Sequence, residues 1–443
     1  MSKPPGSDLS SSVEDASVSP TGDQSDAARP TAPAATTLDV GPDAGLVEYV
    51  SAWVRVRSGE SGVLPVLGGL IAIVIFFQLK SSVFLSAGNL TNLIQQGAPF
   101  VLLSMAEVFV LLLGEIDLSV GYVAGIGAVI MASLAAPPHN QGWLIAIAAG
   151  LVPCAAIGVI QGELITRLRL PSFIVTLAGL LGLEGVLIWL IGLQGANNGG
   201  TIRISDTVIL NLVNGSLSPT AGWVVMAVGV LLFAVFSVLG NRRRRASGLV
   251  APPMVLVGIK IALTAAAGIV VVAVCNTNRG VFVPLRGVPW VVPIVLGFLI
   301  AWTFLLNRTR FGRYVYAIGG NAEAARRAGI NVRRVRVTAF MLCSLTAGVG
   351  GIIYASRLGS ISNDVDGGTL VLYAVAGAVI GGTSLFGGRG KMLHALLGGI
   401  VIATIYNGMG LIGLEADTQD MVTALVLIAA VAVDAIARQG RTR

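Results

Sequence analysis

The stretch WLIAIAAGLVPCAAIGVIQGELI, Trp143 to Ile165, carries a single charge, Glu163, in 23 residues. A helix of that length rises ~34 Å, more than the ~30 Å thickness of a bilayer's hydrocarbon core. Its apolar residues run without a polar stripe, so no face is left to offer water. Runs of the same kind recur through most of the chain: Val63–Leu79, Gly97–Leu113, Leu118–Ala136, Pro171–Ile191, Gly222–Leu239, Met254–Val274, Val288–Leu306, Val335–Ala355, Thr369–Leu385, Met392–Leu411 and Met421–Ile436. With Trp143–Ile165 they make twelve expected spans. The expected fold is therefore all-α, a polytopic membrane protein of about 12 transmembrane helices.

Composition agrees. The 443 residues are 54% hydrophobic and 12% charged, against about 25% charged in an average soluble domain. That excludes a water-soluble globule, a disordered chain and a fibre. Glycine is abundant, with 57 copies. Pairs such as Gly121/Gly125, Gly158/Gly162 and Gly377/Gly381 place small residues one turn apart, where they let helices approach closely in lipid. Cys154, Cys275 and Cys343 lie in separate apolar runs without a CxxC pair, so they read as small buried residues. His139 and His394 are isolated. No metal site, cofactor site or catalytic constellation is expected, and the chain is not read as an enzyme.

Residues 1–45 differ from all that follows. The first 50 residues hold eight acids against Lys3 and Arg29, a net of −6 in a chain whose total is +7. Ser, Pro and Asp dominate, so this is expected to be a disordered acidic cytoplasmic tail ahead of a membrane domain at 46–443. Its lack of a basic n-region and apolar h-region argues against a cleaved signal peptide. A short interfacial helix is expected near Leu46 to Arg57. Arg167/Arg169, Arg242–Arg245, Arg308–Arg336, Arg389/Lys391 and Arg438/Arg441/Arg443 fall on one side of a twelve-span chain. By the positive-inside rule that side is cytoplasmic, with both termini there. No nucleic-acid partner is expected.

Three stretches depart from the apolar background. Gly114-Glu-Ile-Asp-Leu-Ser-Val-Gly121 puts Glu115 and Asp117 between two spans, where carboxylates need water, a cavity or a partner. A tight loop capped by Asp117 or Ser119 fits, and so does a discontinuous helix lining a translocation path. Gly381-Gly-Thr-Ser-Leu-Phe-Gly-Gly388 echoes its G-x₃-L-x₂-G spacing, as an internal repeat or by chance. In the loop 307–334, Asn321 is placed to cap a short helix, with Glu323 and Ala324 in its first turn and Gly329 as its stop. Such a helix would present Ala322, Ala325 and Ala328 beside Arg326 and Arg327, a surface suited to docking in a groove of another protein.

These stretches together with Leu170-Pro-Ser-Phe-Ile-Val-Thr-Leu177 resemble permease subunits of bacterial ABC monosaccharide importers, in the ribose and xylose branch. The likeness covers roughly residues 60–437 and is strongest to xylose-type permeases, whose extra pair of spans the segment between Asn197 and Val288 matches. The resemblance implies a bacterial inner-membrane location and a pore made by two permease copies. It also implies a cytoplasmic ATPase subunit and a periplasmic or lipid-anchored sugar-binding protein as partners. By the same resemblance the coupling helix is built from Gly319, Gly320, Asn321, Ala324, Ala325, Arg326, Ala328, Gly329 and Ile330.

A path for a neutral polyhydroxylated solute needs amides, hydroxyls and carboxylates. Candidates within the apolar runs are Gln95, Gln96, Ser104, Glu107, Ser172, Thr176, Glu184 and Asn407, joined by Glu115 and Asp117 at the break. Glu107 and Glu184 stand out as acids in mid-span. The chain has no Walker A loop: at Gly390-Lys391 the first glycine position is Leu385 and the hydroxyl position is Met392, so ATP would be hydrolysed elsewhere. The rival reading is an ion-coupled secondary transporter of a small polar solute, which would use the same acids but has no need of a docking helix.

Overall fold

The computed structural model describes residues 63–195, 200–280, 284–363 and 365–439. The acidic segment 1–45 and the helix expected at Leu46 to Arg57 lie outside the described residues. Helix accounts for 77% of what is described. In chain order the helices are α1 (Val63–Lys80), α2 (Ala87–Leu111), α3 (Val120–Ala135), α4 (Trp143–Arg167), α5 (Ser172–Gly195), α6 (Thr207–Asn214), α7 (Pro219–Ala246) and α8 (Met254–Asn276). They continue as α9 (Val291–Arg308), α10 (Arg310–Gly320), α11 (Ala322–Arg327), α12 (Val332–Leu358), α13 (Gly367–Ile380), α14 (Met392–Leu411) and α15 (Ala416–Gln439). Two short strands, β1 (Thr201–Arg203) and β2 (Ser360–Ser362), pair antiparallel with Ile202 opposite Ile361.

Among the described residues, eight helices are long and apolar enough to cross a membrane: α2, α4, α5, α7, α8, α9, α12 and α14. Residues Pro65–Lys80 of α1, all of α3 and all of α13 form shorter apolar helices. The core is α2, 78% buried over its most apolar window and wrapped by α12, α14 and α13. Glycine makes that wrapping possible. A methyl group at Gly399 would stand 2.7 Å from the Cα of Val101 in α2, and one at Gly162 the same distance from the Cα of Val337 in α12. Each of the three glycine pairs singled out above packs against a neighbouring helix or side chain in this way. All three cysteines are buried free thiols.

Several span boundaries differ from the expectation. The second span begins at Ala87 rather than Gly97. Asn89, Asn92, Gln95 and Gln96 make its first turns look like a loop, but as a central helix α2 turns them towards protein partners instead of lipid. The third helix begins at Val120, because residues 115–117 have no regular structure and 118–119 form a turn. The span expected at Thr369–Leu385 stops being helical at Gly381, which closes α13. The α7–α8 hairpin packs chiefly on itself, and only 6% and 11% of the two windows are buried. It is an appendage to the core.

The bundle has two distinct ends. One, called here the lower end, carries α10, α11 and the loops after α2 and α13. The other, the upper end, carries β1, β2 and α6. There Asn214 Nδ2 donates to the Ser356 carbonyl at 2.8 Å.

Candidate functional site

At the lower end the segment 319–330, expected to dock on a partner, folds from local rules. Asn321 is extended at φ −159° and accepts from the Ala324 amide at 2.9 Å, capping α11. Glu323 in the first turn pairs with Arg326 at 2.6 Å and Arg327 at 3.1 Å. Those two guanidinium groups hold its carboxyl below the usual carboxylate range, so the carboxylate that favours a helix start is kept at neutral pH and lost only in acid. The helix ends in a Schellman motif: Ile330 N donates to Ala325 O at 3.1 Å and Gly329 N to Arg326 O at 3.0 Å. Gly329 sits at φ +82° with open space around its Cα. Gly329→Ala should therefore weaken this cap by about 1 kcal/mol through backbone strain alone, read as faster amide exchange across residues 321–330 with exchange in α2 unchanged.

One expectation for this helix needs correcting. Ala325 is buried and Ala322 half-buried, whereas Ala324, Ala328, Arg326 and Arg327 are exposed. The 3.6-residue period puts 322 and 325 on one face, which packs on the bundle. The surface open to a partner is the opposite one.

The preceding helix α10 ends against both other lower-end loops. A methyl group at Gly319 would collide with the carbonyl oxygen of Leu112 and stand 2.5 Å from the amide nitrogen of Gly388. Gly388 N itself donates to Leu112 O at 2.9 Å. A methyl group at Gly387 would stand 2.8 Å from Gly114 N and 2.9 Å from Gly319 O. Tyr316 Oη in α10 donates to the Gly390 carbonyl at 2.8 Å. The two echoing segments thus meet in space, with Gly319 at the end of α10 wedged between them. Three glycines are required here because backbone packs on backbone, leaving no volume for side chains.

Above this junction the chain after α2 climbs into the bundle before α3 starts. Glu115 pairs with Arg336 at 3.1 Å. Asp117 is fully buried and accepts from Ser119 N at 2.9 Å and Ser119 Oγ at 2.6 Å. Gln161 Nε2 donates to Ser119 Oγ at 2.7 Å, and Thr176 Oγ1 donates to Ile116 O at 3.2 Å. Residues 112–119 lie outside any helix, and Asp117 orders the turn at Ser119; the expected side-chain cap on α3 is not formed. Helix α13 repeats the pattern: it too is short and starts at an acid, Asp366, which accepts from the Thr369 amide at 3.0 Å. The two starts face each other, since a side chain at Gly121 would collide with the Gly367 carbonyl. Tyr122 at the start of α3 lies near the carboxyl groups of Glu184 in α5 and Asp366. Two positive helix ends and two carboxylates converge there, the arrangement expected of half-helices at a transport path.

The remaining path candidates separate. Glu107 in α2 is fully buried, and neither carboxylate oxygen has a hydrogen bond of ordinary geometry; Asp117 is its charged neighbour. Gln95 turns away to donate to the Val213 carbonyl in α6 at 2.8 Å. Gln96 and Asn407 come together: Asn407 Nδ2 donates to Gln96 Oε1 at 3.1 Å, and Asn407 exchanges hydrogen bonds with Asn89 at 2.9 and 3.1 Å. They line an upper-end cleft of about 220 Å³ with Asn92, Tyr406 and Gln419, three residues not singled out above. Asn92 lies four residues before Gln96 on α2, a helical spacing that marks it once α2 is known to begin at Ala87. Gln419 gives no such signal, lying in a polar loop-like stretch. Glu115 is held by Arg336 and does not line the cleft. Glu115→Gln should cost about 1 kcal/mol of stability and change uptake by less than about two-fold, measured by thermal unfolding and by transport in the full assembly.

Comparison with known proteins places this geometry. The family described as branched-chain amino acid transport system / permease component matches residues 89–431. The xylose transport system permease protein XylH of Escherichia coli strain K12 is 35% identical over 381 residues, covering 85% of this chain and 92% of that protein. XylH of Haemophilus influenzae is 32% identical, covering 86% and 98%. The ribose import permease protein RbsC of Escherichia coli strain K12 is 31% identical over 368 residues, covering 82% and 92%. No solved structure matches the chain. The chain therefore belongs to this family of membrane permeases, in the branch of the xylose- and ribose-type ABC permeases.

Proposed function

We propose that this chain, in the bacterial inner membrane, forms the pore of an ATP-driven importer for a monosaccharide, with xylose or a related sugar as substrate. The observation that carries it is the wedge at Gly319. A short capped helix projects from the lower end, and the backbone at its base packs directly on the backbone of both broken segments. Movement imposed on α11 must displace them, because packed backbone cannot yield by rotating side chains. Its exposed face offers Ala324, Ala328 and two arginines, a small and cationic surface for an ATPase subunit. Sugar as the substrate class is supported by the names of the relatives and by path linings of amide, hydroxyl and carboxylate.

The finer assignment follows. The eight long apolar helices, α1, α3, α13 and α15 make twelve spans. The lower end, rich in arginine, is cytoplasmic, and so are both termini. A second copy of the chain completes the pore, an extracytoplasmic binding protein delivers sugar at the upper end, and residues 319–330 are the coupling segment. Tagged chain purified from its native membrane should bring an ATPase and a sugar-binding protein with it. Reconstituted with both, it should take up labelled xylose only when ATP is present. Uptake by the chain alone along a proton or sodium gradient would establish the ion-coupled carrier instead.

A further inference from the structure

Helix α2 displays a ladder of polar groups interrupted by one ring. Asn92, Gln96, Phe100, Ser104 and Glu107 fall within about 120° of its circumference. The first two line the upper cleft. The last two are fully buried; Ser104 Oγ lacks a hydrogen-bond partner, and neither Glu107 oxygen has one of ordinary geometry. Between them Phe100, Tyr373 and Tyr406 form a closed triangle of edge-to-face rings, with centroids 5.0, 5.5 and 5.9 Å apart. Phe100 and Tyr373 are buried, while Tyr406 is half-buried and forms part of the cleft wall.

The cleft's chemistry defines what it takes. Its lining supplies four amides, from Asn92, Gln96, Asn407 and Gln419, and no carboxylate. Arg357 stands beside it, donating to Asn92 Oδ1 at 2.8 Å with a buried Nε that has no hydrogen-bond partner. Amides both donate and accept, which suits hydroxyl groups that do the same. Without a carboxylate the site has nothing to neutralise a cation. Its volume of about 220 Å³ holds one sugar ring with its hydroxyls and little more. The Tyr406 ring gives an apolar face for the C–H side of that sugar.

We propose that the cleft is a transit site for one neutral monosaccharide and that the Phe100–Tyr373–Tyr406 triangle is the gate beneath it. This rests on the permease reading above. When the rings part, Ser104 and Glu107 are the next hydrogen-bonding groups along α2, which accounts for two buried polar side chains that the folded core leaves without a well-formed hydrogen bond. Beyond them lies Asp117, at the break that the docking segment touches.

The test uses the complete assembly in proteoliposomes, with labelled xylose as the probe. Wild-type ATP-driven uptake is the control: its absence would reject the monosaccharide permease reading itself, independently of the gate. Given that control, Tyr406→Ala should raise ATP-independent xylose efflux at least about ten-fold, while Tyr406→Phe, which keeps the ring triangle, should not. Asn92→Ala combined with Gln419→Ala should raise the KM for uptake about ten-fold with kcat within about two-fold, as expected when two hydrogen bonds to the sugar are lost. Thermal unfolding of each variant separates a loosened fold from an opened gate. Efflux as low as wild type in a stably folded Tyr406→Ala protein would overturn the gate. An unchanged KM in the double variant would overturn the transit site. A KM shift for a sugar acid but not for xylose would assign the cleft to anionic solutes and overturn the neutral-sugar assignment.

Discussion

Gly319→Val is expected to abolish ATP-driven uptake while leaving the protein folded, in the membrane and bound to its ATPase. The Cβ of any residue at 319 collides with the Leu112 carbonyl, and the second neighbour is the Gly388 amide. Both are backbone, so relief requires the loops after α2 and α13 to separate from α10. Overpacking of this kind costs ~1–3 kcal/mol, and with no flexible side chain available to move, the upper part of that range applies. Because Gly319 precedes α11 and does not belong to its open face, the ATPase should still bind. Its activity should no longer respond to the sugar-loaded binding protein. The pair of readings, retained co-purification and lost stimulation, distinguishes a broken linkage from a misfolded subunit. Normal stimulation in this variant would show that movement reaches the pore by another route.

The second large effect is expected at Glu107, and its two parts have opposite signs. Its carboxyl is enclosed by the core without an ordinary hydrogen bond. Leaving such a group unsatisfied costs ~1–3 kcal/mol or more. Glu107→Leu, similar in volume and apolar, removes that cost. The variant should therefore unfold at a temperature several degrees higher than wild type. Transport should fall at least about ten-fold, because the sugar loses a hydrogen-bonding group beyond the aromatic triangle. A natural sequence that keeps a destabilising acid where leucine fits better does so for activity. If Glu107→Leu is both more stable and fully active, the acid has no part in the path. If it is less stable, the carboxyl has a structural partner in the assembled pore.

The sequence carried most of the fold because the solvent is lipid. Long uncharged runs such as Trp143 to Ile165 have one stable outcome in a bilayer, so helices were legible one by one. The docking helix was legible for a different reason: Asn321, Glu323 and Gly329 occupy cap positions whose chemistry is local, and the structure places a cap and a Schellman stop at those residues. What failed was whatever depends on distant contacts. The start of α2 was missed because Asn89, Asn92 and Gln96 look soluble until Asn407 and Arg357 arrive from more than 260 residues away. The orientation of Ala325 was misjudged because the face of a six-residue helix is fixed by what it packs on. The separation of Gln95 from Gln96, one bound to α6 and the other in the cleft, follows from adjacent residues pointing about 100° apart on a helix. No local pattern tells which of the two faces the cleft. The segments after α2 and α13 share a glycine spacing that is legible in the sequence, but only the fold shows that they touch.

The most direct measurement asks whether an ATPase sits on α11. Ala324→Cys places a single exposed thiol on its open face, since Cys154, Cys275 and Cys343 are all buried. In intact cells or the purified assembly, a short thiol-directed crosslinker should join this position to the ATPase subunit, with a yield that changes when nucleotide is bound. A membrane-impermeant thiol reagent added outside the cell should leave it unlabelled. Labelling from outside, or a nucleotide-bound assembly in which no adduct with the ATPase forms, would contradict a pore driven through residues 319–330.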